Sequence, residues 1–444
     1  MFSKAIRSYG SLSNVAARGF ASAAHASVCI IGAGTAGINV AGQLLRNGVL
    51  AQHIRIFDPS KYHHYQPGWT AVGGGIDAPE KYITLTEKMV PGHIPWTDLE
   101  VTRIDPENNS IELEDGRRWT YDQLIVATGI QSNWDAIKGL SDALNDQSAP
   151  VGSIYNSRYT QKWSRIRKDF NGGNAIFTHP TMPIKCAGAP QKIMHLSHDT
   201  WNTKRVNANI SYYTATPVIF SQPTYAKKLQ QLADSKHIAT HFQHNLVEVR
   251  KDDRVAVFRD LKEQKDVQVN FDVLHVVPPM RTPSLIRDTK SLVDEAGFVA
   301  VDKHTLQSTR FPNVWSLGDC ANLPTSKTAA AIIDQTPVLV HNLLNNWRGS
   351  GVPTNNVGYF GYTSCPIFTG KGELLLAEFK YNVELDETFG SFQRTPRSLF
   401  YHIKTKVFPW AYFNLLPRGL WYGRYLVFGR PKQYLDKTEQ KQQA

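Results

Sequence analysis

The sequence predicts an α/β protein built from Rossmann-like domains, because short apolar segments and helical segments alternate as a parallel sheet requires. Residues 27–31 form a short, mostly apolar run, as expected for a buried parallel strand, and residues 38–45 have a helical pattern. A second apolar strand is predicted at 54–57. The 444 residues are 41% hydrophobic and 20% charged, which is the composition of a globular protein with a sizeable core.

A glycine motif connects the first predicted strand to the first predicted helix. Residues 32–37 read Gly-Ala-Gly-Thr-Ala-Gly. Gly32 permits a tight turn, Gly34 lets a pyrophosphate approach the backbone, and Gly37 allows close packing of helix on strand. Asp58 ends the second strand about 20 residues later, where an acid hydrogen-bonds an adenosine ribose. With this context the motif predicts a dinucleotide site rather than an ordinary glycine-rich turn.

The N-terminal residues predict a mitochondrial transit peptide at 1–25. The first acidic residue of the chain is Asp58, whereas Lys4, Arg7, Arg18 and several serines precede it. Such an acid-free, Arg- and Ser-bearing start is typical of transit peptides, and a plain tail is the alternative. No apolar run of about 18 residues occurs, so we expect no transmembrane helix. The net charge of +11 favours anionic partners such as phospholipid, and without a Lys/Arg-rich block we expect no nucleic acid.

The cysteines indicate chemistry rather than structural cross-linking. They lie far apart, without C-x-x-C or Cys/His metal spacing, so neither a metal site nor a disulfide scaffold is expected. Cys186 follows Lys185 in a loop before a helix predicted from residue 191. A lysine charge and a helix N-terminus both lower a thiol pKa, although an isolated cysteine is also often a small buried apolar residue. The four cysteines are Cys29, Cys186, Cys320 and Cys365.

Two later segments resemble flavoproteins with two dinucleotide-binding domains. Residues 120–129 resemble the strand that ends in Ala-Thr-Gly, and residues 313–319 resemble the strand that ends in Gly-Asp. The resemblance covers residues 27–370 and implies FAD, with Asp319 accepting a hydrogen bond from the ribityl chain. It also implies the fold of the glutathione reductase class, in which a second Rossmann-like domain is inserted into the FAD domain.

The inserted domain lacks the glycine fingerprint of relatives that use NAD(P)H. Residues 172–181 keep an apolar strand at 174–178, but Pro180 and its neighbours replace the glycines that would let a pyrophosphate approach. We therefore expect no NAD(P)H site and a different electron donor.

Four segments resemble the eukaryotic-type sulfide:quinone oxidoreductases: residues 63–70, 183–192, 318–331 and 363–367. In that family the two matching cysteines are a redox-active pair beside the flavin, which assigns this role to Cys186 and Cys365. Cys29 is expected in the core, and Cys320 is expected to pack near the flavin rather than react.

The resemblance also implies the reaction. Hydrogen sulfide opens the cysteine pair by thiol–disulfide exchange, Cys365 carries the persulfide, and Cys186 delivers two electrons to the flavin. Ubiquinone then takes the electrons, and a small acceptor such as glutathione, sulfite or coenzyme A takes the sulfane sulfur. The helix opened by residues 327–331 would stabilise a reduced flavin. The expected cofactor-binding residues are Gly32, Gly34, Ala36, Gly37, Asp58, Gln66, Val101, Thr128, Gly129, Asp319, Lys327, Thr328, Ala329, Ala330 and Gln335.

The C-terminal segment predicts a membrane-interfacial structure. Aromatic and basic residues interleave over 398–428, with no acidic residue between 397 and 435. Trp and Tyr favour the membrane interface, and Lys and Arg favour anionic headgroups. A pair of monotopic helices on the matrix side of the inner membrane is therefore expected, with a dimer interface or a core-capping helix as alternatives. Phe360, Phe368 and Phe400 are candidate walls of a quinone site.

The predicted domain bounds follow from these features. They are a transit peptide at 1–25, the first part of the FAD domain at 26–150, the inserted domain with Cys186 at 151–290, the return of the FAD domain at 291–350, and a C-terminal region with Cys365 and amphipathic helices at 351–444. The alternative functions are a type II NADH:quinone dehydrogenase, a flavocytochrome-type sulfide dehydrogenase that reduces a haem partner, and a flavin-bearing scaffold without catalysis.

Overall fold

The computed structural model describes residues 24–348 and 357–428. The first strand begins at Ala24, two residues inside the predicted transit peptide, and the rest of that predicted segment lies outside the described residues.

Strands and helices alternate along the chain. The strands are β1 (Ala24–Ile31), β2 (Ile54–Phe57), β3 (Tyr62–His64), β4 (Ile83–Leu85), β5 (Trp96–Thr97), β6 (Val101–Asp105), β7 (Ser110–Leu113), β8 (Arg118–Val126), β9 (Gln131–Ser132), β10 (Val151–Gly152), β11 (Gly173–His179), β12 (Ala208–Thr214), β13 (Ala239–Phe242), β14 (His244–Arg250), β15 (Val255–Asp260), β16 (Asp266–Asn270), β17 (Val273–His275), β18 (Met280–Arg281), β19 (Val314–Ser316), β20 (Thr363–Gly370) and β21 (Glu373–Phe379). The helices are α1 (Thr35–Arg46), α2 (Trp69–Gly73), α3 (Thr86–Met89), α4 (Leu140–Asn145), α5 (Ser157–Asp169), α6 (Ala189–Thr203), α7 (Pro223–Ser235), α8 (Ser284–Asp288), α9 (Ala329–Arg348), α10 (Ser398–His402) and α11 (Phe408–Asn414).

The first sheet is organised around β1. Its strand order is β5-β2-β1-β8-β7-β6, with β19 also paired to β8. β1 runs parallel to both neighbours, so that Ile30 lies opposite Ile56 and Ile125. All three side chains are fully buried, as expected in the middle of a parallel sheet. The α/β fold expected from this pattern is confirmed.

A second parallel sheet lies within the chain between β8 and β19. Its order is β10-β17-β11-β12-β13. A separate antiparallel sheet, β14-β15-β16, follows β13 in the chain. Trp163, Phe177 and Trp201 are fully or almost fully buried in the core beside the parallel sheet.

The β20–β21 hairpin lies between the cores of the two parallel sheets. Successive residues of a strand point to opposite faces, so the hairpin presents a different set of side chains to each core. Cys365 and its cross-strand partner Ala377 pack with the second core. Leu376, one residue earlier than Ala377, packs with the first core.

The C-terminal segment lies against the first core and also exposes apolar side chains. A π-helical turn at Ile403–Val407 joins α10 to α11. Phe400 and Tyr412 are buried, and the Tyr412 hydroxyl lies 2.8 Å from Thr35 Oγ1, at the start of α1. One side of the segment therefore caps the core, as one alternative interpretation held. No helix among the described residues is long and apolar enough to cross a membrane.

Candidate active site

A cavity of 760 Å³ lies where the carboxyl ends of β1, β8 and β19 meet the start of α9, the β20–β21 hairpin and the C-terminal segment. This volume is typical of a site for a sizeable ligand, and the carboxyl ends of parallel strands are where α/β folds bind ligands. Most of the expected cofactor-binding residues line it: Gly32, Gly34, Ala36, Asp58, Gln66, Val101, Thr128, Gly129, Asp319, Lys327, Thr328, Ala329 and Ala330.

The glycine turn has the geometry that a dinucleotide requires. Gly32 has φ +106°, and a Cβ there would lie 2.5 Å from the carbonyl oxygen of Ala127. Gly34 lines the cavity and no atom lies within 4 Å of the position its Cβ would take, so a phosphate has room to approach the backbone. The buried Thr128 Oγ1 has no hydrogen-bond partner among the described residues, which suits a ligand contact.

Two expected cofactor-binding residues do not line the cavity. Gly37 packs against the turn, where a Cβ would lie 1.9 Å from the Gly32 carbonyl oxygen. Gln335 is buried, and its Oε1 accepts a hydrogen bond of 2.8 Å from the Gly318 backbone N–H. The expectation of a direct contact is therefore corrected for both residues: Gln335 fixes the turn beside Asp319, and Gly37 fixes the turn of the glycine motif.

Asp58 and Asp319 are the two expected carboxylates, and both line the cavity. Asp58 Oδ2 accepts a hydrogen bond of 2.7 Å from the Ala33 backbone N–H, so this residue also holds the glycine turn. Burial raises the pKa of Asp58, and its backbone hydrogen bonds oppose the rise. Burial also raises the pKa of Asp319, whereas the nearby charges of Lys327 and Lys185 lower it.

The structure brings together two cysteines that are 179 residues apart in the chain. The Sγ atoms of Cys186 and Cys365 lie 3.4 Å apart, and both residues are free thiols. Lys192 Nζ lies 3.1 Å from Cys186 Sγ. Cys186 and Lys192 line the cavity, whereas Cys365 is 2% exposed and lies behind its strand neighbours Ser364 and Pro366, which do line it.

Local backbone constraints place Cys186 against Cys365. Cys186 has φ +53°, and its backbone N–H donates a hydrogen bond of 2.8 Å to the Lys327 carbonyl, just before α9. Its carbonyl accepts a hydrogen bond from Ala189, the first residue of α6. A Cβ on Gly188 would lie 2.4 Å from Cys365 Sγ, so only glycine permits this approach.

The two thiols differ in acidity. The hydrogen bond from Cys365 lowers the pKa of the Cys186 thiol, and the charge of Lys192 lowers it further against the effect of burial. The same hydrogen bond, together with burial, raises the pKa of Cys365. The charge of Lys192 therefore favours the thiolate at Cys186 over the thiolate at Cys365 in the reduced pair.

The lysines beside the thiols are not those that the sequence indicated. Lys185 was expected to lower the pKa of Cys186, but its charge interacts with Asp319, and Lys192 performs this role from the first turns of α6. That helix begins at Ala189 rather than at residue 191. Lys404 on the π-helical turn was not predicted. It lines the cavity and donates to the Pro67 carbonyl at 3.1 Å, and burial followed by the charge of Lys192 lowers its pKa to about 7.

The remaining cysteines lie in the core. Cys29 is fully buried in β1, and burial raises its pKa to about 12. Cys320 is also fully buried, and its Sγ lies 3.5 Å from the carbonyl oxygen of Val126. Neither residue lines the cavity.

One part of the cavity is strongly aromatic. Its lining consists of Phe389, Phe400, Ile403, Val407, Phe408 and Trp421, and we refer to it as the aromatic part. Phe389 is 45% and Val407 46% exposed, so this part opens at the surface. Phe400 lines it as expected. Phe360 packs on His304 with ring centroids 5.3 Å apart and Phe368 is fully buried beside Tyr401, so neither lines the cavity and both expectations are corrected.

Known proteins match the chain over nearly all of its length. Residues 26–166 match the pyridine nucleotide-disulphide oxidoreductase family. The mitochondrial sulfide:quinone oxidoreductase of Schizosaccharomyces pombe is 41% identical over 424 residues, covering 90% of this chain and 92% of that protein. The Mus musculus protein of the same name is 38% identical over 405 residues, covering 90% and 88%. The structure of the Aquifex aeolicus sulfide:quinone oxidoreductase aligns with a TM-score of 0.73 at 17% identity, covering 88% of this chain and 92% of that one.

Replacing Lys192 with methionine is expected to make Cys186 less reactive. The substitution removes the cation 3.1 Å from the sulfur, which raises the thiol pKa and reduces the thiolate fraction at neutral pH. Alkylation of Cys186 in the reduced protein, followed by peptide mass spectrometry at pH 7, should slow at least about tenfold. The exposed Lys228 on α7 offers a matched control, Lys228→Met, with the parental rate. Equal rates in all three proteins would refute the assignment of Lys192.

Proposed function

This chain belongs to the family of mitochondrial sulfide:quinone oxidoreductases, and on that basis we propose that it oxidises hydrogen sulfide at the Cys186–Cys365 pair and passes two electrons by way of FAD to ubiquinone. The observation that carries the proposal is the contact of Cys186 Sγ with both Cys365 Sγ and Lys192 Nζ, at 3.4 and 3.1 Å. This contact supplies a redox-active pair with one sulfur prepared to leave as a thiolate.

FAD is the cofactor of this FAD-dependent oxidoreductase. The bound flavin accepts an electron pair and passes it on, and the protein supplies position and electrostatics. The glycine turn, Asp58 and Thr128 would hold the dinucleotide, and Asp319 with the start of α9 would hold the flavin end. Cys186 lines the same cavity, so it is the sulfur that would face the bound cofactor.

The sulfide step uses the unequal acidity of the two thiols. With the pair oxidised to a disulfide, HS⁻ attacks the sulfur of Cys365. A new S–S bond forms there, the Cys186–Cys365 bond breaks, and its electron pair stays on Cys186 as a thiolate. Thiol–disulfide exchange favours departure of the thiol with the lower pKa, and Lys192 stabilises that thiolate at Cys186. The persulfide is therefore left on Cys365.

A small nucleophile completes the cycle. Glutathione, sulfite or coenzyme A attacks the outer sulfur of the Cys365 persulfide, takes that sulfur, and leaves the thiol of Cys365. The Cys186 thiolate and the Cys365 thiol then return to the disulfide with loss of two electrons, which FAD would accept when bound, and with release of the thiol proton. The sum is one HS⁻ and one acceptor anion converted to one persulfide or thiosulfate anion, a proton and two electrons.

We propose that the exposed side of the C-terminal segment rests on the anionic phospholipid of the inner membrane, on the matrix side. Leu399 and Trp410 are 51% and 57% exposed, and Lys406 on the same segment is exposed. Apolar and basic side chains in this combination favour the boundary between headgroups and acyl chains. The aromatic part of the cavity opens beside this segment, which would let a lipid-dissolved quinone reach Phe400.

Sulfide is expected to bleach the flavin only when both cysteines are present. The purified protein would be mixed with excess sulfide under anaerobic conditions, so that a second HS⁻ can take the sulfane sulfur from Cys365. Its visible spectrum would be recorded beside those of the variants Cys186→Ser, Cys365→Ser and Cys29→Ser. Cys29 is buried in β1, so this last variant is the matched control and should bleach like the parent. Bleaching in either active-pair variant at the parental rate would refute the cysteine pair, and bleaching of the parent by NADH instead of sulfide would favour a type II NADH dehydrogenase.

The double variant Leu399→Ser/Trp410→Ser is expected to bind membranes at least about tenfold more weakly, because each side chain loses apolar area that would be buried in lipid. Binding would be measured by co-sedimentation with liposomes that contain cardiolipin. Val218 is 46% exposed in the loop after β12, so Val218→Ser is the matched control with parental binding. Unchanged binding of the double variant would contradict the membrane proposal, and flavin bleaching by sulfide should be unaffected in either case.

A further inference from the structure

The β20–β21 hairpin presents a second set of functional groups on the face opposite Cys365. The register pairs Ser364 with Glu378 and Pro366 with Leu376. All four line the cavity, whereas Cys365 and its partner Ala377 point the other way. Because successive residues of a strand point to opposite faces, Cys365 lies on one face of the hairpin and Ser364 and Glu378 lie on the face that lines the cavity.

The polar group is a buried carboxylate bonded to a tyrosine hydroxyl. Glu378 is 3% exposed, and its Oε1 accepts a hydrogen bond of 2.6 Å from the Tyr362 hydroxyl. Oε2 accepts hydrogen bonds from the Thr388 backbone N–H at 2.7 Å and from Gln393 Nε2 at 3.1 Å. Tyr362 and Glu378 both line the cavity together with Phe389 and Phe400 of the aromatic part.

Burying a carboxylate and a hydroxyl next to aromatic side chains is unfavourable, which points to a function for this pair in the cavity. Taking a carboxylate out of water costs several kcal/mol before its hydrogen bonds offset the cost, and an apolar side chain could fill the same volume. Arg424 does not neutralise the pair directly. Its guanidinium lies 4.2 Å above the Tyr362 ring but is bound to the Asp386 carboxylate at 2.8 Å.

The quinone, which is the proposed electron acceptor, needs protons that Tyr362 and Glu378 can supply. Reduction of a quinone to a quinol takes two electrons and two protons. The electrons come from sulfide, but a proton must reach each quinone oxygen inside the cavity, and the aromatic part is lined mainly by side chains that carry no exchangeable proton. A hydroxyl bonded to a carboxyl group can deliver a proton at one side and be reprotonated at the other.

We propose that Tyr362 and Glu378 are the proton-donating pair for one oxygen of the quinone, an inference that rests on the proposed function. Tyr362 is the catalytic residue, since its hydroxyl would contact the quinone from the cavity wall, and Glu378 is a positioning residue that acts through it. When the carboxyl group carries a proton it donates to the Tyr362 hydroxyl, the reverse of the hydrogen bond above, so that the Tyr362 O–H can point at the quinone. The Tyr362 O–H bond then breaks as its proton passes to the quinone oxygen, and the carboxyl proton replaces it on the tyrosine. The carboxylate regains a proton from water after the quinol leaves, and the second quinol proton comes from water directly.

The test separates proton delivery from electron delivery. Full-length protein with FAD bound would be reduced with dithionite and mixed in a stopped-flow instrument with either a short-chain ubiquinone or ferricyanide, which takes electrons without protons. The variants are Tyr362→Phe and Glu378→Gln, and the matched control is Tyr359→Phe. The Tyr359 hydroxyl bonds the Tyr362 carbonyl at 2.8 Å but does not line the cavity, so its removal tests for loosened packing alone.

Flavin reoxidation by the quinone is expected to slow on the order of 100-fold in Tyr362→Phe and in Glu378→Gln, because general acid catalysis typically contributes at least that much. Reoxidation by ferricyanide should keep the parental rate in both variants, and Tyr359→Phe should match the parent with both oxidants. Quinone affinity, measured from quenching of tryptophan fluorescence, should also be parental.

Three results would overturn this inference: parental quinone rates in both variants, an equal loss with ferricyanide, or a loss of quinone affinity large enough to explain the slower rate. Since dithionite replaces sulfide in this experiment, its outcome does not depend on the cysteine step. Failure of sulfide to bleach the parent flavin would instead contradict the proposed function.

Discussion

The contact between Cys186 and Cys365 is the constraint on which the remaining chemistry depends. Neither thiol could meet the other through local structure, because 179 residues separate them. Cys186 lies in a loop that is held at the start of α9 by the hydrogen bond from its backbone N–H to the Lys327 carbonyl. Cys365 lies in the β20–β21 hairpin, which packs between the two cores. Gly188 leaves the space for the approach. The distance between the two sulfur atoms therefore depends on how the two sheets are packed together.

The two faces of the β20–β21 hairpin carry different functional groups. One face places Cys365 against the second core, where Lys192 makes the neighbouring sulfur the better leaving group. The other face places Glu378 in the cavity beside aromatic side chains of the C-terminal segment. A single two-stranded element thus places Cys365 and Glu378 on opposite faces.

Much of the fold and part of the site could be predicted from the sequence. Features set by residues close together in the chain were predictable, whereas most contacts between distant segments were not. The strand, glycine turn and Asp58 were predictable because they are local and each residue type is required by its backbone or ligand. Lys404 and Glu378 could not be placed, because their roles depend on elements far apart in the chain. Lys192 is close to Cys186 in sequence, but its contact depends on the loop and the exact start of α6, which local patterns do not define. Lys185 shows the reverse error: its closeness in sequence to Cys186 suggested an interaction that the folded chain makes with Asp319 instead.

The most direct test of this account is the location of the persulfide. The oxidised protein would receive one equivalent of sulfide without any sulfur acceptor, be alkylated, and be analysed by peptide mass spectrometry. The account predicts that the extra sulfur is on the Cys365 peptide and that Cys186 is alkylated as a thiol. An extra sulfur on Cys186, with Cys365 alkylated as the free thiol, would contradict the claim that Lys192 decides which sulfur leaves.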